Sequence, residues 1–80
     1  MGRLVQIGNL IIRVYANDHL PPHFHVITPD ADALVDIATL SVLRGSLSRK
    51  AEETAMNWAR ANQRLIADEW NRTNPRFPIA

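Results

Sequence analysis

The spacing of apolar residues changes near residue 40, and this change sets the fold class. Before it, apolar and polar side chains alternate in short runs, which is typical of strands that bury one face. After residue 50, apolar side chains recur with the period of a helix. We therefore predict an α+β fold, with a small antiparallel sheet of three to four strands in a meander and one long C-terminal helix packed on one face.

Turn-forming residues divide the first half of the chain into strands. Gly8-Asn9 separates two β-prone runs and suits a tight hairpin turn with glycine at its first central position. Two further strands are predicted over residues 23–28 and 32–37, with a turn that starts at Pro29-Asp30 between them. Alternation in the second run assigns Leu10, Ile12 and Val14 to the core and Ile11, Arg13 and Tyr15 to the open face.

The 80 residues are predicted to form one domain, because they contain no internal repeat and no linker. We expect the sheet over residues 1–38, a short helical turn or loop over 39–45, the helix over 46–73 and a loose tail over 74–80. Either Ser46 or Ser48 is expected to cap the helix. The predicted apolar stripe comprises Ala51, Ala55, Trp58, Ala59, Leu65 and Ile66 with Trp70 at its edge, and the exposed face carries Arg60, Arg64, Asp68 and Arg72.

Asn62 lies near the middle of this apolar stripe, where an amide is unexpected. Burying the amide without a partner would cost about 1 to 3 kcal/mol. Two interpretations follow: Asn62 bonds to backbone at the sheet, or the stripe is split and part of it faces a partner.

Composition excludes several classes of protein and of site. The chain has no cysteine, so it can form neither a disulfide framework nor a thiolate metal site. No apolar run approaches the roughly 18 residues of a membrane span, and we expect a cytoplasmic protein. A chain of 80 residues buries only about 60% of its unfolded surface, so a homo-oligomer or a small partner protein is expected to add stability.

The three histidines all lie within seven residues, at His19, His23 and His25. Residues two apart in a strand project to the same face about 6 to 7 Å apart, so His23 and His25 can hold one metal ion, or one anion, between them. Pro21-Pro22 stiffens the approach to this pair. Either Asp18 or Asp36 can complete a metal site or orient an imidazole.

The chemistry of this segment has three interpretations, namely a structural feature, an interaction surface and a metal or catalytic site. Motifs typical of enzymes are absent from the sequence: it has no His-Glu-x-x-His helix, no phosphate loop and no dinucleotide glycine fingerprint. Whether the protein is an enzyme therefore stays open. The candidate binding residues are Arg13, Tyr15, Asp18, His19, His23, His25 and Asp36, and the candidate metal ligands are His19, His23 and His25.

The segment Tyr15-Ala16-Asn17-Asp18-His19-Leu20-Pro21-Pro22-His23-Phe24-His25-Val26 resembles the signature of a bacterial family known as domain of unknown function 4160. The resemblance extends to Arg13 and to a helix that carries Trp58, Asn62, Leu65 and Trp70. It implies a bacterial or phage-related origin and a partner encoded nearby, in an arrangement like a toxin–antitoxin pair. It implies no activity.

Two functional hypotheses follow from these observations. The first is a protein-interaction or regulatory module, as half of a toxin–antitoxin-like pair or as a homodimer. The alternative is a metal-dependent hydrolase or nuclease in which His23 and His25 bind a divalent ion, His19 or Asp18 completes the shell, and Tyr15 or Arg13 stabilises negative charge. Nucleic-acid binding through Arg60, Arg64 and Arg72 is a third hypothesis, which a net charge of only +1 disfavours.

Overall fold

The structure, a computed structural model, describes residues 3–16 and 18–79. It confirms the α+β class, with an antiparallel sheet followed by helices. No helix in these two ranges is both long enough and apolar enough to cross a bilayer. In chain order the elements are β1 (Arg3–Ile7), β2 (Leu10–Arg13), β3 (His23–Thr28), β4 (Ala31–Asp36), β5 (Val42–Arg44), α1 (Arg49–Ala61) and α2 (Gln63–Thr73).

The sheet is a meander whose spatial order, β1-β2-β3-β4-β5, follows the chain. The predicted hairpin is present, since Ile7 pairs with Leu10 across the Gly8-Asn9 turn. Gly8 has a φ of 60°, a left-handed conformation that glycine adopts without strain. Each strand therefore lies beside its sequence neighbour, and the loop between β2 and β3 crosses one end of the sheet.

The sheet has five described strands, so the prediction of three to four strands was wrong. The fifth strand, β5, lies in the segment predicted to be a helical turn or loop. A side-chain turn explains the difference: Asp36 Oδ1 accepts hydrogen bonds from the backbone of Ala38 and Thr39, and Leu40 has a φ of 60°. The chain reverses there, and Val42 pairs with Val35.

The helical region is two helices, and the prediction of one long helix was wrong. The helix begins after Ser48, whose Oγ accepts a hydrogen bond from the Ala51 amide as a cap. The break falls at Asn62, with φ −128° and ψ 25°. The Asn62 amide donates to the Trp58 carbonyl at 2.9 Å and so bonds to its own helix rather than to the sheet.

The core lies between one face of the sheet and the inner sides of both helices. Leu65 is 49% exposed although its spacing placed it in the apolar stripe. Met56 and Ala67 are buried instead. The core residues are Leu10, Ile12, Val14, Phe24, Val26, Val35 and Ile37 from the sheet region and Ala55, Met56, Ala59, Ile66, Ala67 and Trp70 from the helices.

The segment after α2, predicted to be loose, returns along α2 and is bonded to it. Trp70 Nε1 donates to the Phe77 carbonyl at 2.8 Å. The Asn71 side chain donates to the Ile79 carbonyl at 3.0 Å and accepts from the Ile79 amide at 2.6 Å. These bonds fix the segment against the C-terminal end of α2.

Candidate metal site

Three side chains converge where the β2–β3 loop enters β3. They are Asp18, His23 and His25, called the Asp18 cluster below, and one ligand-type atom from each lies within 4.8 Å of the other two. Asp18 Oδ2 is 3.0 Å from His23 Nε2 and 3.4 Å from His25 Nε2. The loop carries a cis peptide bond between Leu20 and Pro21 just before β3. Strand periodicity explains why the His23 and His25 imidazoles lie close together, since Phe24 between them points into the core.

His23 is the most buried member of the cluster, at 1% exposure. Its Nδ1 lies 2.8 Å from the Pro21 carbonyl oxygen. A carbonyl oxygen can only accept, so Nδ1 must carry a hydrogen, and Nε2 is left facing Asp18. Although Nε2 is 3.0 Å from Asp18 Oδ2, the two are not in hydrogen-bonding geometry, and Nε2 is buried without a hydrogen-bond partner.

The surroundings of His23 differ from those predicted. Alternation placed it on the open face with His25, whereas its ring centroid is 5.6 Å from that of Trp70, a core residue. The reason is its position as the first residue of β3, where the loop before it and the end of α2 cover the strand. The His23 and His25 ring centroids nevertheless lie only 5.3 Å apart.

His25 repeats the arrangement of His23 at a more exposed position. Its Nδ1 lies 3.3 Å from Asp32 Oδ1, and its Nε2 turns toward Asp18. The Tyr15 ring packs edge-on against the imidazole, with centroids 4.5 Å apart. Asp32 was not among the predicted site residues, because only the register of β3 against β4 brings it beside His25.

Asp18 is held from two sides. Its backbone amide donates to Asn74 Oδ1 at 2.7 Å, and its Oδ1 accepts from the His19 amide at 2.9 Å. Burial by itself raises the pKa of the Asp18 carboxyl, but the His19 amide and the His23 and His25 imidazoles outweigh it and lower the pKa from its usual value. The cluster therefore offers one carboxylate and two imidazole nitrogens to a cation.

Asn74 also supports the site, and the sequence analysis did not predict this role. It is 3% exposed and joins the two sides of the loop, since its Oδ1 accepts from the Asp18 amide and its Nδ2 donates to the Tyr15 carbonyl at 3.0 Å. In the sequence it marks only the end of a helix before Pro75. Nothing local in the chain distinguishes this role from an ordinary helix end.

The remaining predicted residues lie around the cluster without joining it. The His19 side chain is 70% exposed, and its Nε2 is 3.7 Å from Asp18 Oδ1. Asp36 uses its carboxylate in the turn after β4. Arg13 lies on the open sheet face, with its guanidinium carbon 5.7 Å from the centroid of the Tyr15 ring.

Two surface cavities border the cluster. One, of about 300 Å³, is lined by His19, Leu20, Pro21, His23, Leu34, Leu43 and Arg44. The other, of about 180 Å³, is lined by Asp18 and by residues that follow α2. His23 and Asp18 can therefore be approached from outside the protein although each is largely buried.

The comparisons with known proteins give a family and no activity. The family model for a domain of unknown function, DUF4160, matches residues 9–71. No curated protein and no solved structure matches the chain. The matched range contains the β2–β3 loop, the whole Asp18 cluster and both helices up to Asn71. The chain belongs to the DUF4160 family.

Proposed function

We propose that this protein binds one divalent transition-metal ion, of the zinc type, through Asp18, His23 and His25. The observation that carries the proposal is the buried Nε2 of His23. The Pro21 carbonyl accepts from Nδ1, so in the neutral ring Nε2 is the nitrogen with the free lone pair, and it is buried 3.0 Å from a carboxylate oxygen without a hydrogen-bond partner. A cation coordinated by both atoms would give each of them a partner.

The ligand separations are compatible with a tetrahedral ion. Zinc–nitrogen and zinc–oxygen bonds of about 2.0 to 2.2 Å place neighbouring ligands about 3.3 Å apart in a tetrahedron. Asp18 Oδ2 lies 3.0 Å from His23 Nε2 and 3.4 Å from His25 Nε2. The three atoms lie within 4.8 Å of one another, and side-chain rotation has to close that spread before all three reach bonding distance.

The groups behind the imidazoles also fit a metal site. Metal-binding histidines usually donate their second ring N–H to a carbonyl or a carboxylate, which fixes the ring and raises its basicity. His23 has the Pro21 carbonyl in this position, and His25 has Asp32. Three protein ligands leave the fourth position free for water or substrate, as in catalytic rather than structural zinc sites. The proposed ligand set is therefore suited to hydrolytic chemistry.

Metal binding is tested with protein purified without a histidine tag and stripped of metal. We expect one equivalent of cobalt(II) to bind with the visible spectrum of a four-coordinate ion, and zinc to displace it. The His25→Ala substitution should weaken binding by more than about 100-fold, because even the loss of a supporting residue costs about 10- to 100-fold.

His19→Ala serves as the matched control, since it removes a histidine of the same segment that lies outside the cluster. We expect its affinity to stay within about threefold of the wild type. Equal losses in both variants would assign the site to His19 as well. A wild-type protein that binds no ion would exclude the proposal and leave His23 as an imidazolium paired with Asp18.

A second proposal, an interaction module, is favoured by a different surface. The edge strand β5 is exposed along its whole length, and Leu20, Val42 and Leu43 are 50%, 36% and 45% exposed. The partner is a second copy of this chain or a small protein encoded nearby, as in toxin–antitoxin-like pairs. Light scattering tests the first case and co-purification with the neighbouring gene product the second, with Leu43→Glu expected to disrupt either complex. A strictly monomeric protein that does not co-purify with that product contradicts the proposal.

A further inference from the structure

A row of residues crosses the sheet at His25 and contains three arginines. The register pairs Arg3 with Arg13, Arg13 with His25, His25 with Leu34 and Leu34 with Arg44. Residues directly opposite each other lie on the same face, with Cβ atoms about 4.5 to 5.5 Å apart. The row has no carboxylate, and Arg13 is the arginine next to the proposed metal ligand.

Arg13 is a half-buried cation without a carboxylate partner among residues 3–16 and 18–79. Its Nε is buried and has no hydrogen-bond partner. The guanidinium carbon lies 5.7 Å from the centroid of the Tyr15 ring, and this ring packs edge-on against His25. Tyr15 therefore lies between the Arg13 guanidinium and the His25 imidazole, and a cation–π contact helps to hold the guanidinium in place.

Asp32 and Asp36 lie on the same sheet face as Arg13, and they and Asp18 are bonded to other groups. Asp32 bonds to His25, Asp36 bonds to the turn after β4, and Asp18 belongs to the cluster. A divalent ion on Asp18 would leave one positive charge there, and Arg13 would add a second one strand away. Two cationic centres on one sheet face attract an anion, and Asp32 beside His25 offsets part of their charge.

We propose that Arg13 binds the oxyanion of a phosphate ester whose other oxygens reach the free coordination position of the metal, an inference that rests on the proposed function. A guanidinium binds two oxygens in parallel, which suits phosphate. A phosphate monoester carries about −1.5 to −2 charges and can present separate oxygens to the two centres. A carboxylate has only two oxygens and one charge, so it matches the pair less well.

The probe is phenyl phosphate, titrated into cobalt-loaded and metal-free protein and followed by calorimetry, with the visible spectrum as a second readout where cobalt is bound. We expect Arg13→Gln to weaken its binding by about 10- to 100-fold, the usual effect of losing a charge-assisted hydrogen bond, without changing the affinity for cobalt. Arg13→Lys keeps the charge and loses the planar fork, so an intermediate affinity is expected. Arg3→Gln is the matched control, because Arg3 lies in the same row, one strand farther from His25, and is exposed.

The outcomes separate this inference from the metal proposal. If cobalt binds, and wild type and Arg13→Gln then have equal affinity for phenyl phosphate, the inference is overturned and the metal proposal stands. Acetate that binds as tightly as phenyl phosphate overturns the phosphate assignment. Failure to bind cobalt, with phenyl phosphate still bound in an Arg13-dependent way, overturns the metal proposal and leaves an anion site.

Discussion

Zinc at 100 times its dissociation constant is expected to raise the melting temperature of this protein by about 10 to 20 °C. A ligand at that concentration stabilises the folded state by about 2.7 kcal/mol. In domains of 60 to 100 residues, each kcal/mol shifts the melting temperature by about 4 to 8 °C. The effect should be large here because the Asp18 cluster joins the loop to β3, and an unfolded chain does not bring these atoms together.

His23→Asn should abolish this thermal shift, because the asparagine amide overlays Nδ1 and leaves no atom in the place of Nε2. The substitution keeps a polar side chain able to donate to the Pro21 carbonyl but removes the Nε2 lone pair that faces Asp18. Scanning calorimetry of the metal-free and zinc-loaded forms measures both effects in one series. If the buried substitution prevents folding, His25→Asn makes the same test at a position with a 16% exposed side chain. An equal shift in wild type and in both variants would place the zinc elsewhere.

Much of the fold could be predicted because its signals are periodic. Alternation at residues 10 to 15 and the Gly8-Asn9 turn predict the first hairpin, and the structure contains it. β5 could not be predicted, since all three of its residues are exposed and it has no alternation to detect. Its position depends on Leu40 in a left-handed conformation that leucine seldom adopts.

The helix break illustrates a different limit. Asn62 was recognisable as an amide in an apolar stripe, which raised the possibility of a split. Whether such a residue breaks the helix depends on competition between helical hydrogen bonds and its own bond to the Trp58 carbonyl. The period of the stripe alone did not reveal that Leu65, at the edge of the stripe, is 49% exposed.

The site divides in the same way between local and distant contributions. The pair His23 and His25 follows from strand periodicity alone, and Asp18 was a candidate because it lies close in the chain. Asp32 reaches the site only through the sheet register, and Asn74 only through the packing of α2. Asn74 lies 56 residues along the chain from Asp18, whose backbone amide donates to it. Contacts of this kind leave no pattern in a single sequence.

Asn74→Ala is expected to lower the free energy of unfolding by about 2 to 4 kcal/mol and to weaken zinc binding by about 10- to 100-fold. The substitution leaves the Asp18 amide and the Tyr15 carbonyl without partners; an unpaired buried group costs about 1 to 3 kcal/mol, and these two are only partly buried, so the lower part of that range applies to each. The loss of affinity is that of a supporting residue, because Asn74 contacts none of the three ligand atoms but fixes the backbone of one ligand. Urea unfolding of the metal-free protein and competition with a zinc chelator measure the two quantities separately.

Asn71→Ala is the matched control, because it separates loss of stability from loss of the site. Asn71 also lies near the end of α2 and also joins backbone groups through both ends of its amide, but it bonds to Ile79 rather than to the loop. We expect it to lower stability while leaving zinc affinity within about threefold of the wild type. If both variants lose affinity in proportion to their stability, Asn74 acts only through the fold. If Asn74→Ala alone loses affinity, the end of α2 positions Asp18, and metal binding is coupled to the packing of the C-terminal helix on the sheet.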